Sequence, residues 1–196
     1  MGAMEKMISN DREYRAFEVR VEEGDATAEG YAAVFNTETV LYSCGGIDYR
    51  EVIDPNAFSE ADMRDVVMNY NHQGKPVART KNHTLSLEVD ATGLKIKADL
   101  SGTEEGRRLH EEIKGGYIDK MSFAFTVSEE AYDRDTHTRR ILRFGRVYDV
   151  AAVDMPAYDA TSISARSYFS AEAEKERAEA RSKKQKKLKI MLEVSK

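Results

Sequence analysis

Through the first 170 residues the sequence breaks into short runs that alternate in polarity or are rich in β-branched residues, with turn signals between them. This recurrence restricts the chain to a mainly β fold, because a period of two fits a pleated strand and not a helix. Strands are expected over residues 12–21, 28–35, 49–52, 66–69, 85–89, 94–100, 120–127, 139–153 and 162–165. Two short helices interrupt them. Asp54-Pro55 offers a cap and a first-turn proline, with apolar residues at helical spacing to Met63. Ser101 with Glu104 forms a capping-box pattern ahead of residues 103–114, which stop at Gly115-Gly116. The expected architecture is α+β, a mainly antiparallel barrel or sandwich carrying two or three helices.

Asp90-Ala91-Thr92-Gly93 reads as a hairpin turn with glycine at a positive φ, and residues 133–138 turn a second hairpin. The charge changes along the chain. Residues 171–196 carry nine Lys/Arg against five Glu, which leaves the preceding 170 residues at −9 out of a total of −5. Three segments follow: 1–11, where Met1-Gly2-Ala3-Met4 reads as an expression scar; 12–170, the body; and 171–196, a charged basic tail, helical or disordered. The tail is rich in helix formers, and its cluster of Lys183, Lys184, Lys186, Lys187 and Lys189 reads either as a solvated helix or as a surface for an acidic partner or nucleic acid. The acidic body argues against a nucleic-acid-binding protein.

With 41% apolar residues, 33% charged residues and no long apolar run, the sequence predicts a soluble protein without a membrane partner or an export signal. A single cysteine, Cys44, excludes an internal disulfide and points to a reducing compartment. No GxGxxG, Walker or GxSxG pattern is present, so neither a nucleotide cofactor nor an α/β-hydrolase elbow is indicated. No cofactor and no metal site are expected. His72 and His83 are eleven residues apart, which matches no recognised ligand spacing, and Cys44-Gly45-Gly46 reads as a free thiol in a flexible loop rather than a nucleophile.

Three positions carry candidate chemistry. His72 emerges where the strand-like run Val66-Val67-Met68-Asn69-Tyr70 meets a turn, a place from which a side chain reaches a cleft, although a lone histidine is more often structural. In Lys120-Met121-Ser122-Phe123-Ala124-Phe125-Thr126, alternation puts Met121, Phe123 and Phe125 on one face and Ser122, Ala124 and Thr126 on the other. Ser122 therefore has a rigid apolar mount and open space in front of it, or is simply part of a polar outer face. Asp149 interrupts the apolar run Val147–Val153, where a carboxylate must face solvent or find a partner. Serine, histidine and a carboxylate are together the parts of an acyl-transfer triad.

Five short motifs then occur in one order: Asn71-His72 with Pro76-Val77-Ala78-Arg79-Thr80; Thr92-Gly93-Leu94; Gly116-Tyr117-Ile118 leading into Met121-Ser122-Phe123-Ala124-Phe125; Asp149-Val150-Ala151-Ala152-Val153; and Pro156-Ala157-Tyr158. Upstream, Arg50-Glu51-Val52-Ile53 and Pro55-Asn56-Ala57-Phe58 belong to the same pattern. In order and approximate spacing the chain resembles the HK97-type prohead proteases of tailed bacteriophages, which are related to the herpesvirus assembly proteases. The match covers residues 14–166 and makes 12–170 a prohead protease domain.

The resemblance implies a closed β-barrel flanked by helices, and a serine endopeptidase that cleaves the major capsid protein, the scaffold and itself inside the prohead, in the host cytoplasm. It implies a homodimer. Ser122 would be the nucleophile, His72 the general base and Asp149 the acid that orients it. Ala124 stands where the family often has glycine and Asp149 where glutamate is common, so His83 or Asp154 is the alternative third member. The oxyanion donors are not identified by the sequence; the related enzymes point to residues 158–162 or Arg166. The rival reading is a structural or scaffold head protein that keeps the protease fold without activity.

Overall fold

The computed structural model describes residues 12–21, 26–154 and 158–194, without the side chains of 16, 158–166, 188, 189 and 192–194, so the Lys189 side chain lies outside it. The expression-scar segment lies outside the described residues. The strands are β1 (Glu13–Val21), β2 (Thr27–Val34), β3 (Thr39–Cys44), β4 (Ile47–Ile53), β5 (Val67–Tyr70), β6 (Gln73–Arg79), β7 (Leu85–Val89), β8 (Gly93–Asp99), β9 (Lys120–Asp133) and β10 (Thr138–Val153). Helix α1 spans Glu104–Lys114 and α2 spans Tyr158–Val194.

One sheet runs in the order β3-β4-β10-β9-β1-β2-β8-β7, with β5 on β10 and β6 on β5. It is mainly antiparallel, but β4 and β5 both pair with β10 in parallel. The sheet is open. The expected closed barrel fails because β10 gives its second edge first to β4, over 138–141, and then to β5, over 149–152. That edge splits into two short branches, and β3 and β7 end the main path without pairing to each other. β1 pairs with β9 through Glu18 and with β2 from Val19 onward, joining the two parts of the sheet through one strand.

Turn chemistry fixes the hairpins. The Asp90 side chain accepts from the amides of Thr92 and Gly93, and Asp133 accepts from those of Asp135 and Thr136. Gly93 is not at a positive φ. A Cβ there would lie 1.9 Å from the Ala33 carbonyl oxygen, so glycine is needed for close strand approach. Gly45 and Gly46, both at positive φ, make the tight β3–β4 turn where a loose loop was expected.

Other expectations need correction. The segment after Asp54 forms successive turns instead of a helix, because β10 uses its backbone: Phe144 N–H donates to the Ala57 carbonyl and Asp62 N–H to that of Gly145. Residues 162–165 lie in α2 rather than in a strand. The cap of α1 is Thr103, not Ser101; its hydroxyl accepts from Gly106 N–H at 2.9 Å. β6 was hidden by Gly74 and Pro76, which this outer strand tolerates because it pairs only with β5. β3, only partly buried at the other end of the sheet, gave no clear alternation.

The core is aromatic in its centre. Phe58, Phe123, Phe125 and Phe144 pack with neighbouring ring centroids between 4.5 and 6.5 Å apart. α2 docks through Phe169, which is buried against Tyr42, Tyr49 and Tyr132, and Arg134 at the β9–β10 turn pairs with Glu179. The helix continues through residue 170 without a break, and Lys183, Lys184, Lys186 and Lys187 on it are exposed.

Candidate active site

Over residues 121–125, β9 has two unlike faces, both buried. Met121, Phe123 and Phe125 enter the aromatic core, while Ser122 and Ala124 form the opposite face. Pairing register extends that second face across four strands. One row holds Tyr14 on β1, Ala124 on β9, Asp149 on β10 and Val67 on β5; the next holds Ala16, Ser122, Ala151 and Asn69. Successive residues on one face of a strand are about 6.6 Å apart, so the rows are near neighbours.

His72 reaches this face from a tight turn. Tyr70 pairs with Gln73, and the two residues between them, Asn71 and His72, have φ of 49° and 56°. A two-residue turn with both φ positive favours asparagine first and glycine second. Histidine at the second position is sterically disfavoured, and strain of this kind tends to be kept where a side chain has a task.

The His72 Nδ1 hydrogen-bonds the Asp149 Oδ1, and the imidazole meets the Tyr14 ring edge-on with centroids 4.6 Å apart. Tyr14 and Asp149 of the first row thus hold the imidazole, and small Ala124 lies between them. A carboxylate only accepts, so Nδ1 carries a proton, and in the neutral ring Nε2 presents its lone pair. That Nε2 is buried without a hydrogen-bond partner, as are Ser122 Oγ and Asn69 Oδ1. His110 Nε2 on α1 and Glu176 Oε1 on α2 share that condition. The arrangement joins an oriented imidazole, its acceptor and a hydroxyl on one face, the components of acyl transfer. Over residues 15–177 the chain matches the caudovirus prohead serine protease family.

The chain belongs to that family. Its members' name implies a serine peptidase and a place within the phage capsid. No curated protein and no solved structure matches the chain.

Among the three residues singled out in this prohead protease sequence, His72 and Asp149 are in direct contact and Ser122 lies one row away on the same face. Ser122 is not open to solvent as its strand pattern suggested; it is fully buried. Of the alternative third members, His83 is exposed at the end of a 3-10 turn and Asp154 accepts from the Tyr70 hydroxyl at 2.9 Å. Residues 158–162 and Arg166 belong to α2. Tyr14 and Asn69 were missed. Asn69 carried the same signal as Asp149, a polar residue interrupting an apolar strand, whereas Tyr14 could be placed only once the β1–β9 register was known.

A second polar cluster lies behind the site. Arg15 bonds Glu51 at 2.6 and 2.5 Å, and Arg139 bonds Glu13 at 2.6 and 2.8 Å and Glu130 at 2.7 Å. The Arg139 guanidinium also lies 4.5 Å from the Tyr168 ring centroid of α2. Burial would raise the Glu13 carboxyl, but Arg139 and then Arg15 outweigh it and hold the carboxyl down at about 2. Burial would likewise lower the Arg139 guanidinium, and Glu13, Glu51 and Glu130 raise it instead. Among the described residues, no three His, Cys, Asp or Glu side chains gather to hold a metal ion, and no helix is long and apolar enough to cross a membrane.

Proposed function

We propose that this protein is an HK97-type serine endopeptidase in which Ser122 is the nucleophile, His72 the general base and Asp149 the residue that orients His72. The observation that carries the reading is the His72–Asp149 hydrogen bond on the face that also bears the buried, unpartnered Ser122 hydroxyl. With Nδ1–H donating to Asp149, Nε2 accepts the Ser122 proton as Oγ attacks the scissile carbonyl. The proton passes to the leaving amine, and water then hydrolyses the acyl-enzyme.

The substrates in this reading are the major capsid protein and the scaffold, cut inside the prohead in the host cytoplasm. Self-cleavage near the composition break at Ser170 would release the basic part of α2. The enzyme acts as a homodimer without a cofactor, a nucleic acid or a membrane. Co-expression with the cognate major capsid protein tests this, comparing the native chain with Ser122→Ala and His72→Ala by gel and intact mass. Cleavage by the native chain and by neither variant is expected. Cleavage by Ser122→Ala would refute the nucleophile. No cleavage even inside assembled shells would favour an inactive structural head protein, a reading to which the complete burial of Ser122 lends weight.

A further inference from the structure

Asn69 places a carboxamide in the apolar run of β5 and is only 7% exposed. Its buried Oδ1 has no hydrogen-bond partner. Leaving a buried polar atom unpaired is costly, so each instance calls for a reason. Turn formation does not supply one, because Asn71 and not Asn69 occupies the turn and accepts from Asp154 N–H.

The register places Asn69 next to the proposed nucleophile. Asn69 pairs with Ala151, and Ala151 pairs with Ser122, so all three share one face. Two strand spacings of about 4.8 Å put the Cα atoms of Asn69 and Ser122 roughly 10 Å apart. Both side chains belong to this face, and Ala151, a small residue, is the one the register places between them. A separation of that order suits a carbonyl group held about 3 Å from a nucleophile on one side and about 3 Å from a donor on the other, once the chain that covers Ser122 has opened. A carboxamide exchanges its oxygen and nitrogen by a half-turn, so the position of the unpartnered Oδ1 can equally present an N–H.

We propose that the Asn69 carboxamide binds the scissile carbonyl oxygen of the peptide substrate and donates to it as it becomes an oxyanion, an assignment that rests on Ser122 being the nucleophile. As the Oγ–C bond forms, the Ser122 proton moves to His72 Nε2 and the carbonyl π pair moves to oxygen, where Nδ2–H meets it. When the C–N bond breaks, that pair returns to re-form the carbonyl and the proton goes to the leaving amine. Asn69 gives and takes no proton.

The test is steady-state cleavage of a peptide spanning a mapped capsid cut site by the full chain, compared with Asn69→Ala, Asn69→Asp and Ser122→Ala. Asn69→Asp keeps the shape and removes the donor, and thermal midpoints check that the variants are folded. Removing one oxyanion donor typically lowers turnover by about 10²–10³. That loss is expected in kcat for both Asn69 variants with KM within about threefold, the mark of a contact made in the transition state. A kcat within threefold of the native value, or a loss confined to KM, overturns the proposal. If Ser122→Ala abolishes cleavage in the same experiment, the failure belongs to Asn69 alone. If Ser122→Ala still cleaves, or the native chain cleaves nothing, the reading of the nucleophile falls and this one with it.

Discussion

Replacing Arg139 with methionine tests whether the buried ion cluster holds the strands that carry the site. Arg139 is 3% exposed and bonds Glu13, Glu51 and Glu130, while Arg15 bonds Glu13 and Glu51. Methionine fills much of the space but leaves those carboxylates short of one cation. Removing one member of a buried pair costs about 3–5 kcal/mol. Arg139 and then Arg15 outweigh burial and hold Glu13 at about 2 against an ordinary 4.5, a net shift worth about 3 kcal/mol of which Arg139 supplies a part. Because the folded value is the lower one, this stabilisation is complete above about pH 4.5 and is lost as the pH falls from there through about 2. For a chain of this size about 1 kcal/mol moves the melting midpoint by roughly 2–4 °C. Arg139→Met should therefore melt about 6–20 °C lower at neutral pH, with a flatter acid dependence between pH 4.5 and 2, both read by thermal scans across pH. A midpoint within 2 °C of the native value, or an unchanged acid slope, would refute the reasoning. The cluster also bears on function. Glu13 and Arg15 flank Tyr14 on β1 and face the other way, so holding them in register against Phe125 and Phe123 holds Tyr14 against Ala124 and His72.

Three further outcomes are expected. Asp149→Asn should lower kcat by about 10⁴ with little change in folding, because an amide at that position donates to Nδ1 and leaves the proton on Nε2; peptide kinetics check it. Ser122 should react with small fluorophosphonates at a rate that levels off as reagent is added, at the same plateau for reagents of different size, because its hydroxyl is closed from solvent. Plateaus that differ with the size of the reagent would refute a common opening step. Gly93→Ala should destabilise the protein by about 1–3 kcal/mol, since the added methyl collides with the Ala33 carbonyl, while kcat per folded molecule stays unchanged; denaturant titration and active-site counting separate the two.

Local chemistry explains which parts of this molecule were legible beforehand. The long strands β9 and β10 announce themselves because alternation over many residues reports a buried face whatever the partner. Thr103 took the cap from Ser101 because Gly106, packed so that a Cβ would lie 2.5 Å from the Leu100 carbonyl oxygen, fixes where the helix starts. The turns after Asp54 were not legible, since the groups that use their backbone lie on β10, more than eighty residues away. Openness of the sheet depends on how β4 and β5 divide one edge, which no single strand encodes. In the site, Ser122 and Asp149 left a trace as polar residues in apolar strands. The approach of His72 to Asp149 needed the turn geometry, and the resemblance supplied the pairing before the fold did.

The two faces of β9 divide the work of this fold between rigidity and chemistry. Aromatic rings on one face fix the strand, so the residues of the other face are set by backbone register instead of by loops, the kind of mount a catalytic constellation needs. The same arrangement leaves the Ser122 hydroxyl beneath covering chain. In the proposed mechanism a peptide carbonyl therefore reaches Oγ only in an opened form, and the population of that form multiplies whatever rate Ser122, His72 and Asp149 achieve together. In that reading, burial of the proposed nucleophile restrains cleavage without any change in the three residues themselves.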